Sequence, residues 1–227
     1  MLSHPPKAPL VRFFYENSLS LTVTFLTLLA IAGQAITGWN VYNGELEELN
    51  RGQLTISQYL SSGHFIEALF ENWESEFLQM GLYVVLTIWL RQKGSSESKK
   101  LYKKEEVDRE PQPKKDAPWP VKAGGIWLGI YKNSLSIAFF VLFILSFYLH
   151  AVGGAEVYNL EQLNQGKETV STLGYMGTSQ FWFESLQNWQ SEFLSIVSIV
   201  VLSIFLRQQG SPESKPVDAA NSETGEQ

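Results

Sequence analysis

Residues 17–44 read Asn17-Ser-Leu-Ser-Leu-Thr-Val-Thr-Phe-Leu-Thr-Leu-Leu-Ala-Ile-Ala-Gly-Gln-Ala-Ile-Thr-Gly-Trp-Asn-Val-Tyr-Asn-Gly44, 28 positions without a charged side chain. A second uncharged run covers the 23 positions Asn133–Ala155. A hydrocarbon core ~30 Å thick needs ~20 apolar residues per helix, whereas a soluble core needs no such run. The sequence is that of a membrane protein. Its average of 44% hydrophobic residues conceals this, because charge, Pro and Ser gather between Leu90 and Lys122.

The chain of 227 residues is also internally doubled. Tyr15-Glu-Asn-Ser-Leu-Ser-Leu21 returns as Tyr131-Lys-Asn-Ser-Leu-Ser-Ile137, and Val41-Tyr-Asn43 returns as Val157-Tyr-Asn159, both 116 residues on. Leu46–Gly52 matches Leu160–Gly166 after a two-residue deletion. The strongest match pairs Asn72–Lys99 with Asn188–Lys215, ungapped, with 18 of 28 positions identical. A repeat of this kind governs the fold. Each half supplies two hydrophobic segments: Ser18–Thr37 and Phe77–Leu90, then Ser134–Val152 and Phe193–Leu206. Asn17 or Ser18 is the expected cap of the first. The second and fourth hold 14 uncharged residues, and extending them back to Trp73 and Trp189 gives helices of ~27 Å. The second also extends outward through Phe65–Asn72, where no Gly or Pro interrupts. Lys7, Arg12 and the apolar run after them have the pattern of a signal peptide, but the corresponding segment of the second half is internal, so the first helix is expected to be retained.

Charge orients the chain. Of 17 Lys and Arg residues, only Arg51 and Lys167 follow the first and third segments closely. The positive-inside rule then places both termini and the linker in the cytoplasm. The outer segments Trp39–Glu76 and Ala155–Glu192 carry 12 acids against 2 bases. Two spans per unit bring both copies in with the same sense, predicting parallel repeats. The expected architecture is an all-α membrane protein with four transmembrane helices in two parallel-repeat hairpins. Short amphipathic helices on the outer face, such as Val157–Asn164, are expected to lie on the membrane surface. The units are residues 1–92 and 125–209, with a disordered charged linker at 93–124 and a disordered tail at 210–227. The basic clusters of the linker suit either a solvated tether or contact with anionic lipid.

Several classes of chemistry are excluded. The absence of cysteine removes disulfides, thiolate catalysis and Cys-based metal sites. No G-x-G-x-x-G or P-loop pattern occurs, and no basic patch interleaves with exposed aromatics as nucleic-acid binding requires. No Ser/His/Asp ordering suggests a hydrolase, and of the three His, His4 lies in the N-terminal arm. No cofactor is expected.

Ser62-Gly-His-Phe-Ile-Glu-Ala-Leu-Phe-Glu-Asn-Trp-Glu-Ser-Glu-Phe-Leu-Gln-Met80 together with Leu90-Arg-Gln-Lys-Gly-Ser-Ser-Glu-Ser-Lys99 resembles a family of bacterial multi-pass membrane proteins described only as a domain of unknown function. The resemblance runs from Phe13 to Lys215 and is most specific at Glu71–Leu78. It implies a bacterial plasma-membrane location and supplies no activity or functional residue.

Three groups of residues bear on function. Gln34 and Glu76, and their counterparts His150 and Glu192, sit about one turn inside the outer boundary, which predicts the bridges Gln34–Glu76 and His150–Glu192. Such groups in hydrocarbon either tie helices together or form a cation or proton site. His64, Glu67, Glu71 and Glu74 share one helix face, and His64, Glu71 and Glu74 are candidate metal ligands. The second copy has Gln180, Phe183, Gln187 and Gln190 there, so a solvated outer face is the favoured account of them. Trp39, Trp73 and Trp189 belong to an interfacial aromatic belt. The expected role is that of a non-enzymatic structural, accessory or interaction protein of the bilayer, with a partner or self-association through helices or outer cap. The alternatives are a cation or proton pathway at Glu76, Glu192 and His150, and an external metal site.

Overall fold

The computed structural model describes residues 8–225, so His4 and Lys7 lie outside the described residues. It is all-helical among the described residues. The long elements are α2 (Ser18–Glu48), α4 (Gly63–Trp89), α7 (Ser134–Asn164) and α9 (Ser179–Phe205). Short helices α1 (Pro9–Glu16), α3 (Ile56–Tyr59), α5 (Trp119–Ala123), α6 (Gly125–Lys132) and α8 (Thr172–Met176) join them. The boundaries of α6, α7 and α9 fall 116 residues after those of α1, α2 and α4. A 3-10 turn at Glu106–Asp108 interrupts the segment between α4 and α5, where Lys99 pairs with Asp108 at 2.6 Å.

Three helices, α2, α7 and α9, are long and apolar enough to cross a membrane. Almost none of their most apolar stretches is buried by protein, 6% in α2 and α9 and 17% in α7. Apolar side chains this exposed need an apolar solvent. α4 matches α9 at 27 residues but is not among these three, since Glu67, Glu71, Glu74 and Glu76 stand in its first half.

The helices outrun the apolar stretches. At 31 residues, α2 and α7 reach ~46 Å, well past the hydrocarbon core. Val157–Asn164, expected as a separate surface helix, is the end of α7, because nothing breaks the helix until Gly166. The stop is a left-handed residue, Asn50 (φ 54°) after α2 and Gly166 (φ 68°) after α7. The Arg51 and Lys167 amides then close back on the Leu46 and Gln162 carbonyls. Asn50 therefore corresponds to Gly166, and the two-residue deletion inferred from Leu46–Gly52 is absent from the helix register. Asn17 does not cap α2 with its side chain. Its amide donates back to the Phe13 carbonyl at the end of α1, as Asn133 does to Gly129 at the end of α6.

Two compact units form. The first takes Met1–Leu69 with Val152–Val170, and the second takes Phe70–Ala151 with Ser171–Gln227. In the first, Tyr59 and Phe65 pack with Ala35, Tyr42 and Leu46. The repeated Val-Tyr-Asn explains itself here: Asn43 brackets Leu54 with bonds of 2.7 and 3.0 Å, and Asn159 brackets Val170 with 2.7 and 2.8 Å. α4 and α7 touch backbone to backbone, since a Cβ on Gly63 or on Gly153 would lie 2.7 Å from the other's carbonyl oxygen.

In the second unit the repeated Leu-Arg-Gln-x-Gly-Ser-x-Glu-Ser-Lys is a helix stop. Arg91 Nη1 donates to the carbonyls of Thr87, Ile88 and Leu90, and Arg207 Nη1 to those of Ser203, Ile204 and Leu206. These are the carbonyls a helix end leaves without partners. Ser98 and Ser214 then accept from the Gln92 and Gln208 amides. The buried Lys215 ammonium donates to the carbonyls of Gly94, Ala220, Asn221 and Glu223.

Candidate functional site

α7 presents Ser146 and His150 on its buried face, one turn apart. His150 is wholly buried, and so is Glu74 of α4. The imidazole Nδ1 lies 3.0 Å from Glu74 Oε2, and Nε2 lies 3.3 Å from Glu184 Oε2 on α9. Tyr175, at the end of α8, donates its hydroxyl to the same Glu184 oxygen, while Gln180 donates to Glu184 Oε1 at 2.6 Å. Phe181 closes the site from one side, its ring stacked on the imidazole with centroids 4.8 Å apart. Trp189 donates its indole N–H to Glu74 Oε1 at 3.3 Å, and Asn188 donates to Glu71 at 2.9 Å.

Local sequence builds this arrangement. Ser171 caps α8 and Thr178 caps α9, with its hydroxyl also donating to the Tyr175 carbonyl. That fixes Tyr175 and Phe181 as buried neighbours with rings 5.5 Å apart, and sets Glu184 one turn along α9 from Gln180. A His between two carboxylates, walled by aromatic rings, can hold a proton or act as one ligand to a metal ion.

Below the site, α4 repeats a polar residue every turn at Glu71, Ser75, Gln79 and Tyr83. Gln79 donates to the Glu192 carbonyl at 2.7 Å and to Ser195 Oγ at 2.5 Å. Tyr83 donates to Glu97 at 2.9 Å. This polar face ends at Tyr83, and the run beyond it, Val84–Leu90, is apolar apart from Thr87.

The sequence-based candidates separate. Gln34 donates to the Ala68 carbonyl at 3.1 Å, and Glu76 is exposed. His150 meets Glu184 and Glu74 instead of Glu192, whose backbone carbonyl takes Gln79. The depth matching counted from the edge of the 14-residue apolar stretch, whereas α9 continues outward and presents Glu184 ~12 Å, eight residues of rise, nearer its start. Of the proposed metal ligands, His64 bonds the Tyr59 hydroxyl at 3.1 Å and stacks on Tyr42 with centroids 4.7 Å apart. Burial holds the His64 pKa below the usual imidazole value, with Glu45 opposing. Glu71 takes Asn188 and Glu74 takes His150, so each of the three is engaged by a different partner. The indoles of Trp39 and Trp189 bond Leu54 O and Glu74 rather than solvent, and Trp73 packs edge-on against Phe70 and Phe77.

Glu184 and Tyr175 were not singled out by the sequence reading. A signal was present: between the copies Gln34 becomes His150 and Ala68 becomes Glu184, a paired exchange at two positions that touch in each copy.

A family model matches residues 10–226, nearly the entire chain, and its description is Domain of unknown function (DUF6766). The chain belongs to this family. DUF6766 carries no assigned activity in its description, and no curated protein and no solved structure matches the chain. The DUF6766 match spans both copies of the repeated sequence and the stretch that carries His150.

Proposed function

We propose that this DUF6766 protein is a four-span, non-enzymatic protein of the bacterial plasma membrane, built as two parallel hairpins with cytoplasmic termini, that takes up a cation or proton at His150. The observation that carries the reading is the full burial of His150 between two carboxylates, Glu74 and Glu184. Ionisable groups are costly at membrane depth and concentrate where ions are handled. The polar turns of α4 from Glu71 to Tyr83 give a route of ~18 Å toward Glu97. The fourth span is α4, whose length equals that of α9 and whose last turns, Val84–Trp89, are apolar. The distribution of Lys and Arg supports the orientation, and the matching helix boundaries support the parallel repeat.

The test is proton flux into liposomes holding the purified protein, read with an internal pH dye, beside His150→Gln and Glu74→Gln. Flux in the parent that both variants abolish is the expected result. Flux equal to that of empty liposomes would overturn the pathway. A second reading, a structural accessory protein, is favoured by one observation: the corresponding contact of Gln34 with Ala68 is a plain side-chain tie to a backbone carbonyl.

A further inference from the structure

Charge is the first clue to what the His150 site holds. Glu71, Glu74 and Glu184 gather with one imidazole, and Glu71 is half-buried while Glu74 is fully so. α4, α7, α8 and α9 contain no Lys or Arg at all. An imidazolium would therefore leave two carboxylates without a cation. Buried charge persists only when it is paired or coordinates a metal.

Geometry is the second clue. A ligating histidine characteristically donates its distal ring N–H to a carboxylate, which fixes the tautomer and aims the other nitrogen at the metal. Glu74 stands in that relation to Nδ1, at 3.0 Å. Nε2 then faces Glu184 Oε2 across 3.3 Å. Two ligands at ~2.1 Å from one tetrahedral zinc lie ~3.4 Å apart, so the pair is already at the separation a shared ion imposes. Gln180 donates to Glu184 Oε1 and Tyr175 to Glu184 Oε2, so both oxygens of the carboxylate are held in place.

We propose that Nε2 of His150 and the carboxylate of Glu184 bind a divalent transition-metal ion of the zinc class, with Glu74 as the positioning residue on Nδ1. Imidazole with carboxylate oxygen suits zinc, cobalt and iron, whereas calcium and magnesium take all-oxygen sites. The inference rests on the reading that this site takes up a cation, and it names the class of that cation. His64 has no part in this proposal, its ring being engaged with Tyr59 and Tyr42.

The experiment uses the full chain in detergent, stripped with a chelator and titrated with Zn²⁺ and Co²⁺. One equivalent is expected to bind, with Co²⁺ giving the visible bands of a low-symmetry N/O site. Glu74→Gln should weaken binding ~10- to 100-fold, the usual loss for an outer carboxylate. His150→Gln and Glu184→Gln should weaken it more, and His64→Gln should leave it unchanged. X-ray absorption of the zinc-loaded parent should count one imidazole, a readout that survives if a variant misfolds. No binding by the parent, no imidazole at the zinc, or binding that His64→Gln removes would each overturn the proposal. Proton flux that depends on His150 without metal binding would leave the pathway standing and the metal refuted. Absence of both would refute both.

Discussion

The His150 ring stands 3.3 Å from the Glu184 carboxylate, at the pair of positions where Gln34 bonds the Ala68 carbonyl. One helix crossing thus carries two chemistries, a neutral tie in the first copy and an ionisable pair in the second. This makes the contribution of the pair measurable by exchange. His150→Gln alone removes the partner that Glu74 and Glu184 share and should cost ~3 kcal/mol, the low end for removing one partner of a buried pair. His150→Gln with Glu184→Ala recreates the first copy's pairing and should recover ~1–2 kcal/mol of that loss, the range for residues in contact. Denaturant unfolding in mixed micelles reads both values. Strictly additive losses would show that the two side chains do not interact.

His64 gives a pH dependence whose sign follows from its burial. Its pKa in the fold lies below the unfolded value of ~6.5. The unfolded chain therefore binds more protons as pH falls through that region. The stabilisation is complete above about pH 6.5 and is lost as pH falls from there toward the depressed folded pKa. Opening of α3 and the first turn of α4, followed by amide exchange, should increase between about pH 7 and 5. His64→Gln, which installs the residue that Gln180 provides in the second copy, should flatten the dependence. An unchanged slope in that variant would assign the effect to other groups.

Much of this was legible in the sequence. The uncharged runs located α2 and α7, the repeat paired α9 with α4, and the lack of Gly or Pro over Phe65–Asn72 gave the extended start of α4. The site was half legible. His150 and Glu74 stood out by type, but their meeting depended on where helices that overrun the bilayer cross. Hydropathy marks the lipid-facing stretch and says nothing about the turns beyond it. α1 and α6 were missed for a related reason: Pro9 and Gly125 open short helices just before the uncharged runs, outside the stretches that hydropathy marks. The Arg91 and Arg207 motifs were visible as identity between copies, yet only the carbonyls they reach explain the identity.

Gly153 tests the backbone contact of the first unit. An added Cβ would meet the Glu67 amide nitrogen at 2.5 Å and the Gly63 carbonyl at 2.7 Å, both main-chain atoms that cannot rotate away. Gly153→Ala should therefore destabilise by ~1–3 kcal/mol through overpacking, despite the better helix propensity of Ala. Gly33→Ala, where nothing lies within 4 Å, should be neutral or slightly stabilising. Equal melting temperatures for the two variants would mean that the close crossing is absent in the membrane.

Arg207 separates capping from charge. Its Nη1 covers three carbonyls at the end of α9, while Nη2 reaches Ala219 O and Asn221 Oδ1 and Nε reaches Pro216 O. A lysine keeps the positive charge that orients the helix but cannot supply the planar fork. Arg207→Lys should therefore preserve topology, measured by labelling a cysteine introduced into the tail, yet expose the last turn of α9 and residues 216–221 to amide exchange. Arg207→Leu should do the same to exchange and also remove a positive charge from the end of α9. Arg91→Leu should loosen chiefly the end of α4, since the hydrogen bonds of Arg91 go to the carbonyls of Thr87, Ile88 and Leu90. Full protection retained in Arg207→Lys would show that charge near the helix end, and not the fork, holds the stop.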